Sequence, residues 1–308
     1  MVISRCRALL VLGWLFVLLA GCALNAPVPP TATASPTATG PDFTLPGAAH
    51  AMVAQLLAKA NSDQALMVEI TSSTVLVSVL GANDTPTTWA YRNGDMGQVT
   101  SDLAYVDQAT FDVDDFNISD VGALFRAASG MAGSEENQSL TIVDYSGGEV
   151  MMSVSTLPES RTVFFNPSGS LLTTLDFDTP GGISQGIEEA IGSRLMVYSI
   201  SVDSEQGAWA DFPGDPDTTV RRTRTSKVPV TTVPRAETVD LPLFSASRVH
   251  PDAIWKVVEA VRGVGDVKAE TRWSVMIDDR DRQGTPRMHF TIGSRVVVTD
   301  LLGNVISG

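Results

Sequence analysis

The chain has 308 residues, with 35 acidic against 21 basic side chains, a net charge of −14 and 44% hydrophobic residues. So acidic a surface disfavours nucleic acid and anionic lipid headgroups as partners. The length suffices for two ordinary domains or one long repetitive one.

The first residues read as an export signal. Arg5 and Arg7 form a short basic start, an apolar run extends from Ala8 to Ala20, and small residues follow. The run is shorter than the ~20 residues that a membrane-spanning helix needs, so it suits a signal core better than a permanent anchor. Leu19-Ala20-Gly21-Cys22 resembles the lipobox of bacterial lipoproteins. That resemblance implies that residues 1–21 are removed and that Cys22 becomes a diacylglyceryl-modified first residue at the outer face of the cell membrane. Cys6 leaves with the signal and Cys22 is consumed as a thioether. No intrachain disulfide, cysteine metal site or thiol nucleophile then remains. Loss of Arg5 and Arg7 leaves 19 basic (21 − 2) against 35 acidic groups, net −16. Acyl chains rather than a basic patch must therefore provide membrane attachment.

Residues 22–46 form the lipidated cysteine and its tether, since Ala23–Pro46 holds six prolines and five threonines and few large apolar residues. Such a composition stays extended and builds no core. The spacer resembles those of Gram-positive, especially actinobacterial, lipoproteins.

Four later segments show helical apolar spacing: Met52, Val53, Leu56, Leu57 and Ala60; Val121, Leu124, Phe125 and Ala128; Ile183, Ile187, Ala190 and Ile191; Ile254, Val257, Val258 and Val261. Ser119 and Ser184 suit N-caps, Pro251 suits a first turn, and Asn61, Gly130, Gly192 and Gly263 suit stops. The predicted helices begin near residues 49, 119, 183 and 251, at intervals of 70, 64 and 68. A near-constant interval is the mark of internal duplication. Between them the period becomes alternating, at Leu66, Val68 and Ile70, at Val75, Val77 and Val79, at Val150, Met152 and Val154, and at Trp273, Val275 and Ile277. Turn residues recur late in the first, second and fourth units, at Asn93-Gly94, Asn166-Pro167-Ser168-Gly169 and Gly303-Asn304. The third unit carries instead a Thr-, Pro- and Arg-rich stretch, Arg221–Arg235, read as an insertion.

The expected fold class is α+β: tandem repeats of one helix plus a three- or four-stranded antiparallel sheet, the first pair over 47–180 and the second over 181–308. This order resembles PepSY-type modules and the tandem units of the β-lactamase inhibitor protein. The resemblance implies a helix laid across each curved sheet, longer sheets from paired units, and a role in binding or restraining other proteins.

Gly182-Ile183-Ser184-Gln185-Gly186 matches the nucleophile-elbow pattern, and Asp240 and His250 follow in hydrolase order. The match falls where the repeat already calls for a helix start, and no glycine-rich oxyanion loop precedes it. The three histidines His50, His250 and His289 form no zinc motif, and Asp112/Asp114/Asp115, Asp176/Asp178 and Asp278/Asp279/Asp281 lack EF-hand spacing. No catalytic, cofactor or metal site is therefore expected. Phe111-Asp112-Val113-Asp114 and Leu175-Asp176-Phe177-Asp178 look like one strand end in two copies, with a structural role.

Residues 22–220 carry 5 basic and 25 acidic groups, and residues 221–308 carry 14 and 10. The basic cluster Arg221, Arg222, Arg224, Lys227 and Arg235 is the candidate ionic partner site, directed at an envelope protein or an acidic wall polymer. Equally open is that it folds back on the chain's own acidic part. The function expected is that of a lipid-anchored, extracytoplasmic, non-enzymatic interaction module. The alternative is a lipid or hydrophobic-ligand carrier, since Thr88-Trp89-Ala90-Tyr91 after a helix and alternating strands is similar to the start of half-barrel lipid carriers.

Overall fold

The computed structural model describes residues 40–100, 108–157, 161–215, 217–236, 239–262, 264–265, 267–268 and 270–306. The export signal, Cys22, most of the tether and Gly263 lie outside the described residues.

The first half opens with α1 (Ala48–Ala60), which buries Met52, Val53 and Leu56 and ends at Asn61 in the left-handed conformation (φ 53°). Strands β1 (Met67–Ile70), β2 (Val75–Leu80), β3 (Pro86–Arg92) and β4 (Asp95–Val99) follow as a meander. Asn93 and Gly94, at φ 53° and 92°, make the tight turn between β3 and β4. Then come α2 (Val121–Ala132), β5 (Ser139–Ser146), β6 (Glu149–Thr156) and β7 (Arg161–Phe165). The second half repeats the order. It contains α3 (Pro180–Ile191), a two-residue β8 (Met196–Val197), β9 (Ser199–Asp203), β10 (Gly207–Pro213), β11 (Thr219–Arg224) and β12 (Thr231–Arg235). A second two-residue strand, β13 (Phe244–Ser245), leads to α4 (Pro251–Val261), β14 (Trp273–Asp278), β15 (Arg287–Ile292) and β16 (Arg295–Thr299).

The expected class of helix plus small sheet is wrong. The strands join into two 7-stranded antiparallel sheets, ordered β4-β3-β2-β1-β5-β6-β7 and β12-β11-β10-β9-β14-β15-β16. The molecule is mostly β, with four helices in support. The cause lies at the edges: a four-stranded meander would leave β1 with a row of unpaired backbone groups, and β5 would be in the same position. Pairing Val68 with Ile142, and Val202 with Val275, closes both joints.

The two sheet orders also correct the reading of 221–235 as an insertion. β11 and β12 occupy the places that β3 and β4 hold in the first sheet. Pro234 disguises β12 as a loop, but a proline is tolerated on an edge strand, which β12 is.

The starts of α1, α2 and α3 differ from expectation by one to three residues, while α4 begins where expected. Asp120, not Ser119, caps α2 by accepting from the Ala123 amide at 2.7 Å, and Thr179, not Ser184, caps α3 by accepting from Gly182 at 3.1 Å. Gly130 lies inside α2, which ends at Gly133. Gly192 follows α3 as expected, and Pro251 opens α4.

The duplicated strand end is a shared turn. Asp112 accepts from the Asp114 amide at 3.0 Å, and Asp176 accepts from the Asp178 amide at 2.9 Å. Phe111, Val113, Leu175 and Phe177 are buried beneath the helices. In the second copy the turn also holds the core: the Asp178 carboxylate accepts from Trp273 Nε1 at 2.7 Å and from Arg262 Nη2 at 3.0 Å. Trp273 is 1% exposed, so removing this acceptor strands a buried indole N–H. We expect Asp178→Ala to lower the stability read from urea unfolding by about 2 kcal/mol. Asp178→Asn, which keeps an acceptor oxygen, should recover most of the loss.

The halves meet where the β5–β6 turn abuts the edge strand β12. Ser146 Oγ accepts from the Thr232 amide at 2.7 Å and donates to the Thr232 carbonyl at 3.1 Å. Arg222 reaches across to Glu149 at 2.8 Å. These contacts occupy polar backbone that an open edge would offer to another chain.

Candidate binding face

Alternation along the second sheet gives it two unlike sides. Ile200, Val202, Ala208, Ala210, Val275, Ile277, Met288 and Phe290 face α3 and α4 and form the core. The intervening residues Ser199, Ser201, Asp203, Trp209, Asp211, Met276 and His289 therefore lie on the side away from the helices.

The register aligns them in rows across the strands. One row runs Thr231, Thr223, Trp209, Ser201, Met276, His289, Val298, through all seven strands. On one side of it Asp211 pairs with both Arg221 and Ser199, and on the other Asp203 pairs with Ser274. The charges in these flanking rows are matched internally. Arg221 makes two 2.7 Å hydrogen bonds to Asp211, whose Oδ2 also accepts from Ser199 at 2.9 Å. Arg280 binds Asp278 at 2.7 Å, Arg272 binds Asp203 at 3.0 Å, and Arg287 binds Asp281 at 2.8 Å.

The central row is different. Among the described residues, six buried side-chain polar atoms have no hydrogen-bond partner within the protein, and three of them belong to this row: Trp209 Nε1, Ser201 Oγ and His289 Nε2. Buried polar atoms are rarely left unpaired, since each costs the desolvation of the group. The corresponding side of the first sheet satisfies itself, with Ser78 and Thr88 sharing a 2.8 Å hydrogen bond and Ser139 donating to Glu69 at 3.1 Å.

Burial pushes the His289 pKa below its ordinary value, helped by the neighbouring Arg280 and Arg287 and opposed by Asp278 and Asp281. The neutral imidazole is thus the native form at pH 7. A histidine whose pKa is lowered by folding binds its proton more readily in the unfolded chain. Stability therefore falls as pH drops below ~6.5 and levels off once the folded form is also protonated. We expect the melting temperature to decline as pH falls below about 6.5 and the decline to shrink in His289→Gln, as read by calorimetry at a series of pH values.

The five basic residues of the expected ionic site do not form one surface. Arg221 and, by alternation along β12, Arg235 lie on this face, and the Arg221 guanidinium sits 5.6 Å from the Trp209 ring centroid. Arg222 and Arg224 point to the helix side: Arg222 donates to the Ala190 carbonyl at 3.1 Å and to Glu149, and Arg224 pairs with Glu189. Lys227 is exposed in the β11–β12 turn, and Arg235 is half-buried at the end of β12. Arg221, Arg222 and Arg224 thus pair with acidic groups of their own chain.

The hydrolase-ordered residues are equally dispersed in their bonding. Ser184 is half-buried in α3, Asp240 pairs with Arg282, and His250 precedes α4. His50 hydrogen-bonds Asp114 at 3.0 Å beside an open groove of about 340 Å³ lined by Val53, Leu57, Asp63 and Asp112. Among the described residues no group of three or more His, Cys, Asp or Glu side chains is placed to hold a metal ion, and no helix is long and apolar enough to cross a membrane. Of the tryptophans, Trp89 and Trp255 are partly buried and pack against the two cores. The Trp209 row escaped sequence reasoning because its members come from seven strands whose register no local pattern reveals; the alternating Ala208-Trp209-Ala210 was its one signal.

No family model matches the chain, and no curated protein sequence matches it.

Proposed function

We propose that this chain is a lipid-anchored, extracytoplasmic binding module, held through Cys22, that recognises its partner with the helix-free face of its second sheet. The observation that carries the reading is the row of three buried polar atoms without a hydrogen-bond partner among the described residues, Trp209 Nε1, Ser201 Oγ and His289 Nε2, the last of them 4.0 Å from the Asp278 carboxylate. The resemblance of residues 19–22 to a lipobox supports the anchor, and the Pro- and Thr-rich tether lifts the body off the membrane. Interaction is favoured over lipid carriage by packing. The space between each sheet and its helices is filled by side chains such as Ile70, Val77, Ile142, Ile200, Ile254 and Ile277, each at 0% exposure. An acyl chain has no room there without displacing the core.

The test is a pull-down from solubilised envelope with the native lipidated protein as bait, its intact mass first checked for a diacylglyceryl group on Cys22. We expect Trp209→Ala to reduce capture about tenfold or more, as for an aromatic hot spot, while Lys227→Glu leaves it unchanged. Equal capture by wild type and Trp209→Ala would remove this face from consideration.

A further inference from the structure

The chemistry of the face names a class of ligand, an inference that rests on the binding reading above. Each carboxylate flanking the row has its own guanidinium: Asp211 with Arg221, Asp278 with Arg280, Asp203 with Arg272, Asp281 with Arg287. Asp211 and Asp278 are almost fully buried, at 5% and 2% exposure, so a charged ligand that captured one member of either pair would leave the other desolvated and alone. A neutral ligand meets no such penalty.

The unpaired atoms are also neutral, and they are mixed in kind. Trp209 Nε1 only donates, Ser201 Oγ donates and accepts, and the imidazole of His289 presents Nε2 in either role. A hydroxyl, which donates and accepts, satisfies all three. Trp209 adds an aromatic surface of negative electrostatic character that suits aliphatic C–H groups. Asp211 and Trp209 hold the Arg221 guanidinium between them, which pins that indole in place.

Trp209, Ser201, Met276 and His289 lie on the adjacent strands β10, β9, β14 and β15, so with strands ~4.8 Å apart the row measures about 14 Å. We infer that the row from Trp209 to His289 binds a short neutral glycan, laid across the four strands with its hydroxyls on Trp209 Nε1, Ser201 Oγ and His289 Nε2. Ser201 is 1% exposed between its larger row neighbours Trp209 and Met276. Met276, unbranched and flexible, is the side chain that turns aside to admit the ligand.

The experiment uses the full lipidated protein in a detergent without a sugar headgroup. Cellotriose, mannotriose and tri-N-acetylchitotriose are titrated as neutral probes and trigalacturonate as their acidic counterpart, with calorimetry and tryptophan fluorescence as readouts. A photoreactive benzoyl-phenylalanine placed at Thr223, the row neighbour of Trp209, reports in cells on whatever else covers the face. We expect saturable binding of at least one neutral trisaccharide and at least tenfold weaker binding of trigalacturonate. Ser201→Ala and His289→Phe should each weaken the neutral ligand about tenfold, the loss of one hydrogen bond to a buried group, with melting temperatures at neutral pH close to wild type. Failure of all three neutral probes, equal binding of trigalacturonate, or unchanged binding in both variants overturns the glycan. A protein adduct at Thr223 without sugar binding overturns the glycan and keeps the face as a binding site. Neither adduct nor sugar binding overturns both readings.

Discussion

Replacing Arg224 with methionine is expected to cost about 3 kcal/mol of folding stability. The guanidinium is 0% exposed and serves four acceptors: Glu189 on α3, the Thr173 carbonyl at 2.7 Å, the Val228 carbonyl at 2.8 Å and the Thr225 carbonyl. It therefore ties β11, its following turn, the segment before α3 and α3 itself to one group. Methionine fills similar volume without a donor, which strands the carboxylate and the carbonyls. Breaking a buried pair from one side costs ~3–5 kcal/mol; Glu189, 30% exposed and still bonded to Gln185 at 2.7 Å, keeps the loss near the low end. Arg224→Lys should fail to restore stability, because one ammonium cannot span acceptors arranged around a planar fork. The decisive measurement is a double-mutant cycle by urea unfolding. Adding Glu189→Leu to Arg224→Met should return at least ~1 kcal/mol, since the second change removes the stranded charge. A loss below ~1 kcal/mol in the single variant would show that Arg224 is not the tie described.

Arg224 also shows how much the sequence conceals. Five basic residues within fifteen positions look like one patch, yet β-alternation sends Arg221 to one side of the sheet and Arg222 and Arg224 to the other. Their partners, Asp211, Glu149 and Glu189, lie 10, 73 and 35 residues away, beyond any local pattern. Local patterns did locate the helices and the alternating strands at Val75–Val79, Val150–Val154 and Trp273–Ile277, because periodicity is set by which face is buried. What periodicity does not encode is which strands become neighbours. The β1–β5 and β9–β14 joints that convert four small sheets into two large ones rest on backbone pairing, to which every residue contributes alike. The candidate face depends on those same joints, since they bring Ser201 beside Met276. It was therefore illegible for the same reason as the fold class.

Gly182→Ala is expected to destabilise the protein by about 3 kcal/mol, the reverse of what the substitution does in an open helix. A Cβ at this position would lie 1.9 Å from the Asp176 carbonyl oxygen and 2.5 Å from its carbon, and backbone cannot rotate away as a side chain can. The helix would have to lift from the turn that carries Phe177 and the Thr179 cap. Gly186 is a second close approach, its Cβ placed 2.4 Å from the Phe177 ring. Gly181, in the same helix and with nothing within 4 Å of its Cβ, is the internal control: Gly181→Ala should stabilise by ~0.5–1 kcal/mol through helix propensity alone. These three glycines decide what the elbow-like pattern at 182–186 means. In a nucleophile elbow the glycines make room for a strained turn that presents the serine. Here Gly182 and Gly186 lie within α3 and let it rest on the 176–177 segment, while Ser184 between them needs no partner at all. Ser184→Ala should therefore shift stability by less than ~0.5 kcal/mol, the ordinary range for a substitution outside the core. A fluorophosphonate should label neither it nor the wild type. Stabilisation by Gly182→Ala, or covalent labelling of Ser184, would mean that the helix stands off the turn and that the pattern serves chemistry instead of packing.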